Sequence, residues 1–255
     1  MVMKTDKQHT AIHHPAVPMH EGDGVTVRRL FPVAGLRYHD PFVLWDDFTL
    51  SPDSGFPDHP HRGFEAITYL FSGAIEHRDN LGNHATVEAG GAQRFTAGSG
   101  LIHSEMPARE GVSRGIQLWI NLPADHKGMA PSWQQADAAD LPFRINEVGR
   151  ITTIVGERSP ITLQTAVGYH DLHFLHSGRM EVTLPDGHQA IVYVAQGDGA
   201  VDGQPVGLGE SILLFSQKQH WATPVEISGS AGSRILYCHG KPHRQPVWQH
   251  GPYVD

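Results

Sequence analysis

Hydrophobic and polar positions along this chain alternate in short runs rather than recurring every three or four residues. From Gly24 onward, β-rich segments follow one another: VTVRRLF at 25–31, DPFVLWDDF at 40–48 and AITYLFSG at 66–73, then QRFTAG, GIQLWINLP, ITTIVG, EVTLP, AIVYVAQG, SILLFS and SRILYC. Alternation with period two is the pattern of a half-buried strand, and few of these segments are long enough for an ordinary helix. PSWQQADAADLP at 131–142 is the best candidate for a short helical turn or loop, and it separates two strand-rich halves. The expected division is therefore 1–130 and 131–255.

The two halves are alike. AITYLFSG at 66–73 lines up with AIVYVAQG at 190–197, each octet ending at a glycine, and a glycine-led strand follows in each half, GGAQRFTAG and GESILLFSQ. A strand–turn–strand unit used twice predicts an all-β fold of two tandem antiparallel β-barrels. A single large sandwich has the same turn spacing and is the alternative.

Composition supports the all-β reading: of 255 residues, 39% are hydrophobic and 18% charged, with 28 glycines and 18 prolines to make turns. The net charge of −8 repels nucleic-acid phosphates, and no basic run offsets it, so direct nucleic-acid binding is not expected. A lone cysteine, Cys238, rules out an internal disulfide, fits a reducing compartment and reads as a small buried hydrophobe. No apolar run has the length of a membrane span or a secretory signal, so the expectation is a soluble, cytoplasmic protein. Nineteen histidines, as many as Lys and Arg together, make metal chemistry worth seeking. His9, His13, His14 and His20 read as solvated residues of a mobile N-terminal arm.

Two short motifs carry the candidate chemistry. In FPDHPHRGFE, His59 and His61 stand two apart, so on a strand both side chains share one face while Pro60 faces away. Pro60 also lacks a backbone donor, which suits an edge strand at a barrel mouth. In GSGLIHSEMP, His103 and Glu105 repeat the spacing after a glycine turn. Either pair alone is what chance supplies in a histidine-rich chain. Together, on neighbouring strands, they would bring three imidazoles and one carboxylate to a point suited to a divalent first-row metal. The aligned positions in the second half are Thr183 and Pro185, then Trp221 and Thr223, so no second ligand set is expected. His170, His173 and His176 do cluster there, but a spacing of three does not place them on one strand face.

These segments carry a resemblance: FPDHPHRGFEAITYLFSG, AGSGLIHSEMP and GIQLWINLP closely resemble the pirin family of bicupins, with looser support from DPFVLWDDF and the HGPYVD tail. The resemblance implies two barrels of the double-stranded β-helix type facing each other. It also implies one metal in the first barrel, bound by the residues that here are His59, His61, His103 and Glu105, with Fe(II) the first choice. The donor set itself suits iron, manganese, nickel, copper and zinc alike. Ala66 and Trp45 depart mildly from the usual pattern, and Trp45 bears on the shape of the first barrel's pocket.

Two functions follow from the resemblance. In the first, the protein is a quercetin 2,3-dioxygenase: a flavonol-like aromatic substrate binds the metal through its 3-hydroxyl, Glu105 is the general base, and dioxygen cleaves the ring with release of carbon monoxide. Phe56, Trp45 and Trp119 can wall such a pocket, although core packing suits Trp119 better. Arg62 can bind an anionic group or form an ordinary surface salt bridge. In the second, the protein senses metal or redox state and regulates a protein partner without catalysis. The sequence does not indicate an oligomeric state.

Overall fold

The computed structural model describes residues 9–216 and 222–255. Trp221, aligned above with the ligand region of the first half, lies outside the described residues. The described chain is built almost wholly of antiparallel strands, with one short 3-10 turn at Ala124–His126. No helix among the described residues is long and apolar enough to cross a membrane.

Two seven-stranded sheets dominate. The first runs, in spatial order, Ser132–Ala136, Ala92–Thr96, Phe64–Ser72, Ser113–Asn121, Phe42–Leu50, Val25–Phe31 and Val17–Glu21. The second runs His9–Pro15, Glu210–Ser216, Gln189–Gln196, Arg234–Gly240, Val167–Phe174, Gly149–Val155 and Phe143–Ile145. The aligned octets lie in the third strand of each, as the internal likeness requires. A four-stranded sheet closes each barrel: Phe56–His61, Leu101–Pro107, Ala74–Asp79 and His84–Glu88 in one, Gly178–Leu184, Thr223–Gly229, Gly199–Val201 and Gln204–Val206 in the other.

Two expectations need correction. The segment at 131–142 is only in part the turn or loop expected: Ser132–Ala136 is an edge strand paired with Ala92–Thr96, and the turn is confined to the residues after it, where Asp140 N donates to Asp137 O. The N-terminal histidines do not lie on a loose arm, because His9–Pro15 pairs along its whole length with Glu210–Ser216 of the other half, and His9 is buried beside Asp202. Both corrections have one cause. Each large sheet is completed by a strand from across the expected division at 131, and an edge strand left open would expose a row of unpaired backbone groups. Alternation in a single edge strand is too weak a signal to reveal that pairing.

The large sheets pack face to face, which explains the near-continuous burial of Phe42–Leu50. Successive side chains point to opposite faces. Trp45 and Asp47 therefore face the second barrel, while Leu44, Asp46 and Phe48 line the interior of the first. Trp45 is fully buried among Leu118, Tyr169 and Tyr193 in a core shared by both halves. It is not a wall of the first barrel's pocket, and this corrects the role given to it from sequence.

Polar contacts cross this core in matched pairs. Tyr193 Oη donates to Asp47 Oδ2 at 2.9 Å, and Asp47 also receives Arg28 and Arg114. Tyr69 Oη donates to Asp171 Oδ2 at 2.7 Å, and Asp171 also receives Arg234. Tyr69 and Tyr193 occupy the same place in the two octets. Each carboxylate is thus held by arginine from its own barrel and tyrosine from the other. Hydrogen bonds to buried charged groups are worth about 1.5–3 kcal/mol. Tyr193→Phe is therefore expected to lower the unfolding free energy by about 1.5 kcal/mol with an unchanged urea m-value, and an unchanged midpoint would show that the cross-barrel bond contributes nothing.

Candidate metal centre

His59 and His61 lie on Phe56–His61, the edge strand of its sheet, with Pro60 opposite Ile102 where no ladder donor is needed. Leu101–Pro107 pairs beside it, with His103 directly opposite His59. This register brings the three imidazoles together: a ring nitrogen from each lies within 4.8 Å of the others. The Nε2 atoms of His59 and His103 are 3.1 Å apart.

The far side of each ring is engaged. His59 Nδ1 lies 2.7 Å from the Pro57 carbonyl, and His61 Nδ1 lies 3.4 Å from the Pro252 carbonyl. His103 Nδ1 lies 3.5 Å from His77 Nδ1, and His77 Nε2 lies 3.1 Å from Asp79 Oδ2. A neutral imidazole that donates from Nδ1 presents a lone pair at Nε2, the arrangement that orients metal-binding histidines. Burial, with the charge of nearby His59, pushes His61 down to about 3, and burial drives His103 well below the ordinary histidine range. Both rings therefore stay unprotonated at neutral pH, as metal ligation requires. The donor set fits a divalent ion, and three histidines can hold one.

Glu105 follows His103 on the same strand, and its carboxylate is fixed by hydrogen bonds of its own. Among the described residues the close cluster is the histidine trio alone, and a register shift separates His103 from Glu105 in the pairing with Phe56–His61. The Glu105 carboxylate lines the same pocket and is held by neighbouring strands. Oε1 accepts from Thr68 Oγ1 at 2.9 Å and Gln93 Nε2 at 2.6 Å, while Oε2 accepts from Gln117 Nε2 at 2.8 Å. A carboxylate oxygen has two lone pairs, so Oε2 keeps one open.

The pocket, about 560 Å³, opens at the barrel mouth and is lined by apolar Val27, Leu44, Phe48 and Phe56 and by polar Arg29, Arg37 and Gln117. Trp119 also lines it, with its ring edge-on to His61 and stacked on Phe64 at 4.1 Å. Core packing and pocket lining are thus both true of Trp119: it packs against the cluster around Phe64, Phe95 and Val254 and shares the inward face with Gln117, whereas Leu118 faces the other barrel. Arg62 forms the surface ion pair, with Asp255 at 2.8 Å.

Sequence reasoning missed the parts that come from far along the chain. The tail returns to close the site, Val254 N donating to Arg62 O, and Lys127 Nζ ties Val254 O to Gly63 O and Asn121 Oδ1. Gly63 sits at φ +85°, and a Cβ there would fall 1.8 Å from Val254 O, so no side chain fits. His77 and Asp79 carried a readable signal, since they too stand two apart on a strand. Thr68, Gln93 and Gln117 carried none.

In the second half, Thr183 and Pro185 line a corresponding cavity. His170 faces that cavity while His173 and His176 are exposed, as their spacing predicted. Cys238 is buried in the shared core.

Two cupin-type barrels packed face to face, with one trio of converging imidazoles in the first, define a bicupin with one candidate metal centre among its described residues. The chain belongs to the pirin family: residues 24–120 match pirin and residues 169–255 match the pirin C-terminal cupin domain. A Pseudomonas aeruginosa protein named "Putative quercetin 2,3-dioxygenase" is 37% identical, over 94% of this chain and 89% of its own. Pirin-like protein 2 of Arabidopsis thaliana is 35% identical, over 92% of this chain and 75% of its own. The crystal structure of a quercetin 2,3-dioxygenase from Acinetobacter baumannii superposes with a TM-score of 0.86 at 26% identity, covering 97% of this chain and 92% of that one.

Four half-to-fully buried imidazoles have pKa values lowered mainly by burial: His39 and His170 to about 4, His61 and His239 to about 3. Below pH 6.5 the unfolded chain takes up protons that the folded chain refuses, so stability is full above that pH and falls as pH drops toward 4. Each imidazole contributes up to about 1.4 kcal/mol per pH unit, partly offset by Asp46 and Glu65, whose burial shifts them upward. Urea unfolding of metal-free protein at stepped pH is expected to show this decline, and a flat profile between pH 6.5 and 4 would contradict it.

Proposed function

We propose that this chain is a metal-dependent dioxygenase of the quercetinase type, with its divalent ion held by His59, His61 and His103 and with Glu105 as the remaining ligand or the base beside it. The observation that carries this reading is the convergence of three imidazoles, two of which line a largely apolar pocket together with Glu105, whose Oε2 accepts one hydrogen bond from Gln117. The names of its relatives support it.

A divalent ion in that position supplies Lewis acidity, which lowers the pKa of a substrate hydroxyl brought to it. The remaining steps belong to the chain. Phe56 and Trp119 supply flat apolar walls for an aromatic ring system, and a cavity of this size suits a flavonol-like substrate. Thr68 and Gln93 anchor Oε1 of Glu105, so the proton of the substrate's 3-hydroxyl is taken at Oε2, where Gln117 orients the acceptor. The tail, pinned by Lys127, holds the Pro252 carbonyl against His61 and narrows the access of water. Iron is the first metal to try.

The test is to purify the protein anaerobically, load Fe(II), Mn(II), Ni(II) and Cu(II) separately, and follow quercetin absorbance together with oxygen uptake. Turnover is expected with at least one metal. Glu105→Gln should lower kcat by about 100-fold or more, the usual contribution of a positioned base. His61→Ala should lose metal by elemental analysis, and full occupancy in that variant would refute the ligand assignment. Absence of turnover with every metal would refute catalysis and favour metal or redox sensing through a protein partner.

A further inference from the structure

The second barrel keeps a cavity of about 460 Å³ at the place that corresponds to the metal pocket. The registers show the correspondence. Arg29 pairs with Asp46 in the first barrel, as Thr153 pairs with His170 in the second, and Ala66 pairs with Trp119 as Ala190 pairs with His239. The inner wall has therefore been rebuilt from Asp46 to His170, from Gln117 to Tyr237 and from Trp119 to His239. Thr183 and Pro185 stand where the first barrel has two of its histidines. The duplicated mouth has lost its ligand set yet has not been filled.

What replaced the ligands points to an anion. Arg144 and Arg158 both line the cavity, and neither guanidinium has an ion-pair or hydrogen-bond partner among the described residues. Most other arginines here are paired, so two free ones on one rim form a local excess of positive charge, against Glu157 as the acidic residue in the lining. Arg158 is also held at φ +65°, a sparsely populated conformation for a residue with a side chain. Deeper in, Thr153 Oγ1 lies 3.2 Å from His170 Nδ1, and His188 Nδ1 lies 3.0 Å from His239 Nδ1. These imidazoles are lowered by burial and stay neutral, so they offer hydrogen bonds rather than charge. Ile151, Val182 and the Phe143 ring supply apolar surface between the two polar zones. A divalent cation fits poorly, because the histidine trio of the first barrel is the sole three-ligand cluster among the described residues.

We propose that the mouth of the second barrel is a binding site for a small aromatic carboxylate bearing ring hydroxyls, its carboxylate held by Arg144 and Arg158 and its hydroxyls by His170 and His239. The bidentate fork of arginine matches a carboxylate, and a one-ring ligand fits the volume. The site is independent of the metal in the first barrel.

The probe is 3,4-dihydroxybenzoate, titrated into metal-free full-length protein and followed by amide chemical shifts in two-dimensional NMR. Saturable shifts are expected at Thr183, which lines the cavity, and at Gly156 and Gly168, which lie against the lining residues His170 and His239. The uncharged amide of the same acid, and the double variant Arg144→Gln with Arg158→Asn, should each weaken binding by about ten-fold or more. Both arginines are exposed, and Asn tolerates the left-handed backbone, so the variant is expected to keep the parent spectrum elsewhere. The proposal is overturned if shifts appear in the first barrel alone, if they do not saturate, if the amide or the variant binds as tightly as the acid does to the parent, or if Zn(II) moves the Gly168 signal while the acid does not.

Discussion

Everything in this molecule is arranged around one packing constraint: two large sheets, each half covered by its own barrel, must bury their other faces against each other. Sheets buried on both sides lose the polar face that would tolerate water. The interface therefore holds rings and aliphatic side chains from both halves, with Trp45 among them, and admits carboxylates where arginine and tyrosine meet them. Asp47 and Asp171 are the paired exceptions, each neutralised by arginine from its own barrel and bonded by tyrosine from the other. A buried carboxylate without such partners would be strongly destabilising. The crossing strands His9–Pro15 and Ser132–Ala136 serve the same end by covering the edges of the paired sheets.

With the inner faces committed to the interface, each barrel's interior is left to open at its mouth. The side chains that alternate with the interface residues point into these interiors: Asp46 beside Trp45 and Asp47, Gln117 and Trp119 around Leu118, His170 between Tyr169 and Asp171. The chemistry of each mouth is thus decoupled from the packing that holds the barrels together. One mouth gathers three histidines and an oriented glutamate; the other, on the same framework, presents arginines and hydrogen-bonding imidazoles. The two mouths sit at equivalent places, and they differ at inward positions, at their rims and in the tail that lines the first.

Much of this was legible from single strands. The i, i+2 spacing of His59 and His61, with Pro60 between, correctly predicted a shared face on an edge strand, because strand periodicity is a local property. The octets at 66–73 and 190–197 predicted equivalent strands for the same reason. Trp45 was misplaced because alternation separates the two faces of a strand without telling which face meets the other barrel and which meets the cavity. Glu105 shows a further limit: spacing placed it on the strand of His103 but did not reveal the hydrogen bonds from Thr68, Gln93 and Gln117 that fix its carboxylate.

The amino-acid order alone established the strands, the duplication and the asymmetry of the two halves, since these depend on periodicity and on comparison within the chain. Tertiary structure decided which strands exchange between halves, which faces pack together, how the tail from Gln249 to Asp255 comes to line the first mouth, and which polar groups surround Glu105. Those features join residues far apart in sequence, so their energies arise from contacts that form after the chain has folded, and no local pattern encodes them.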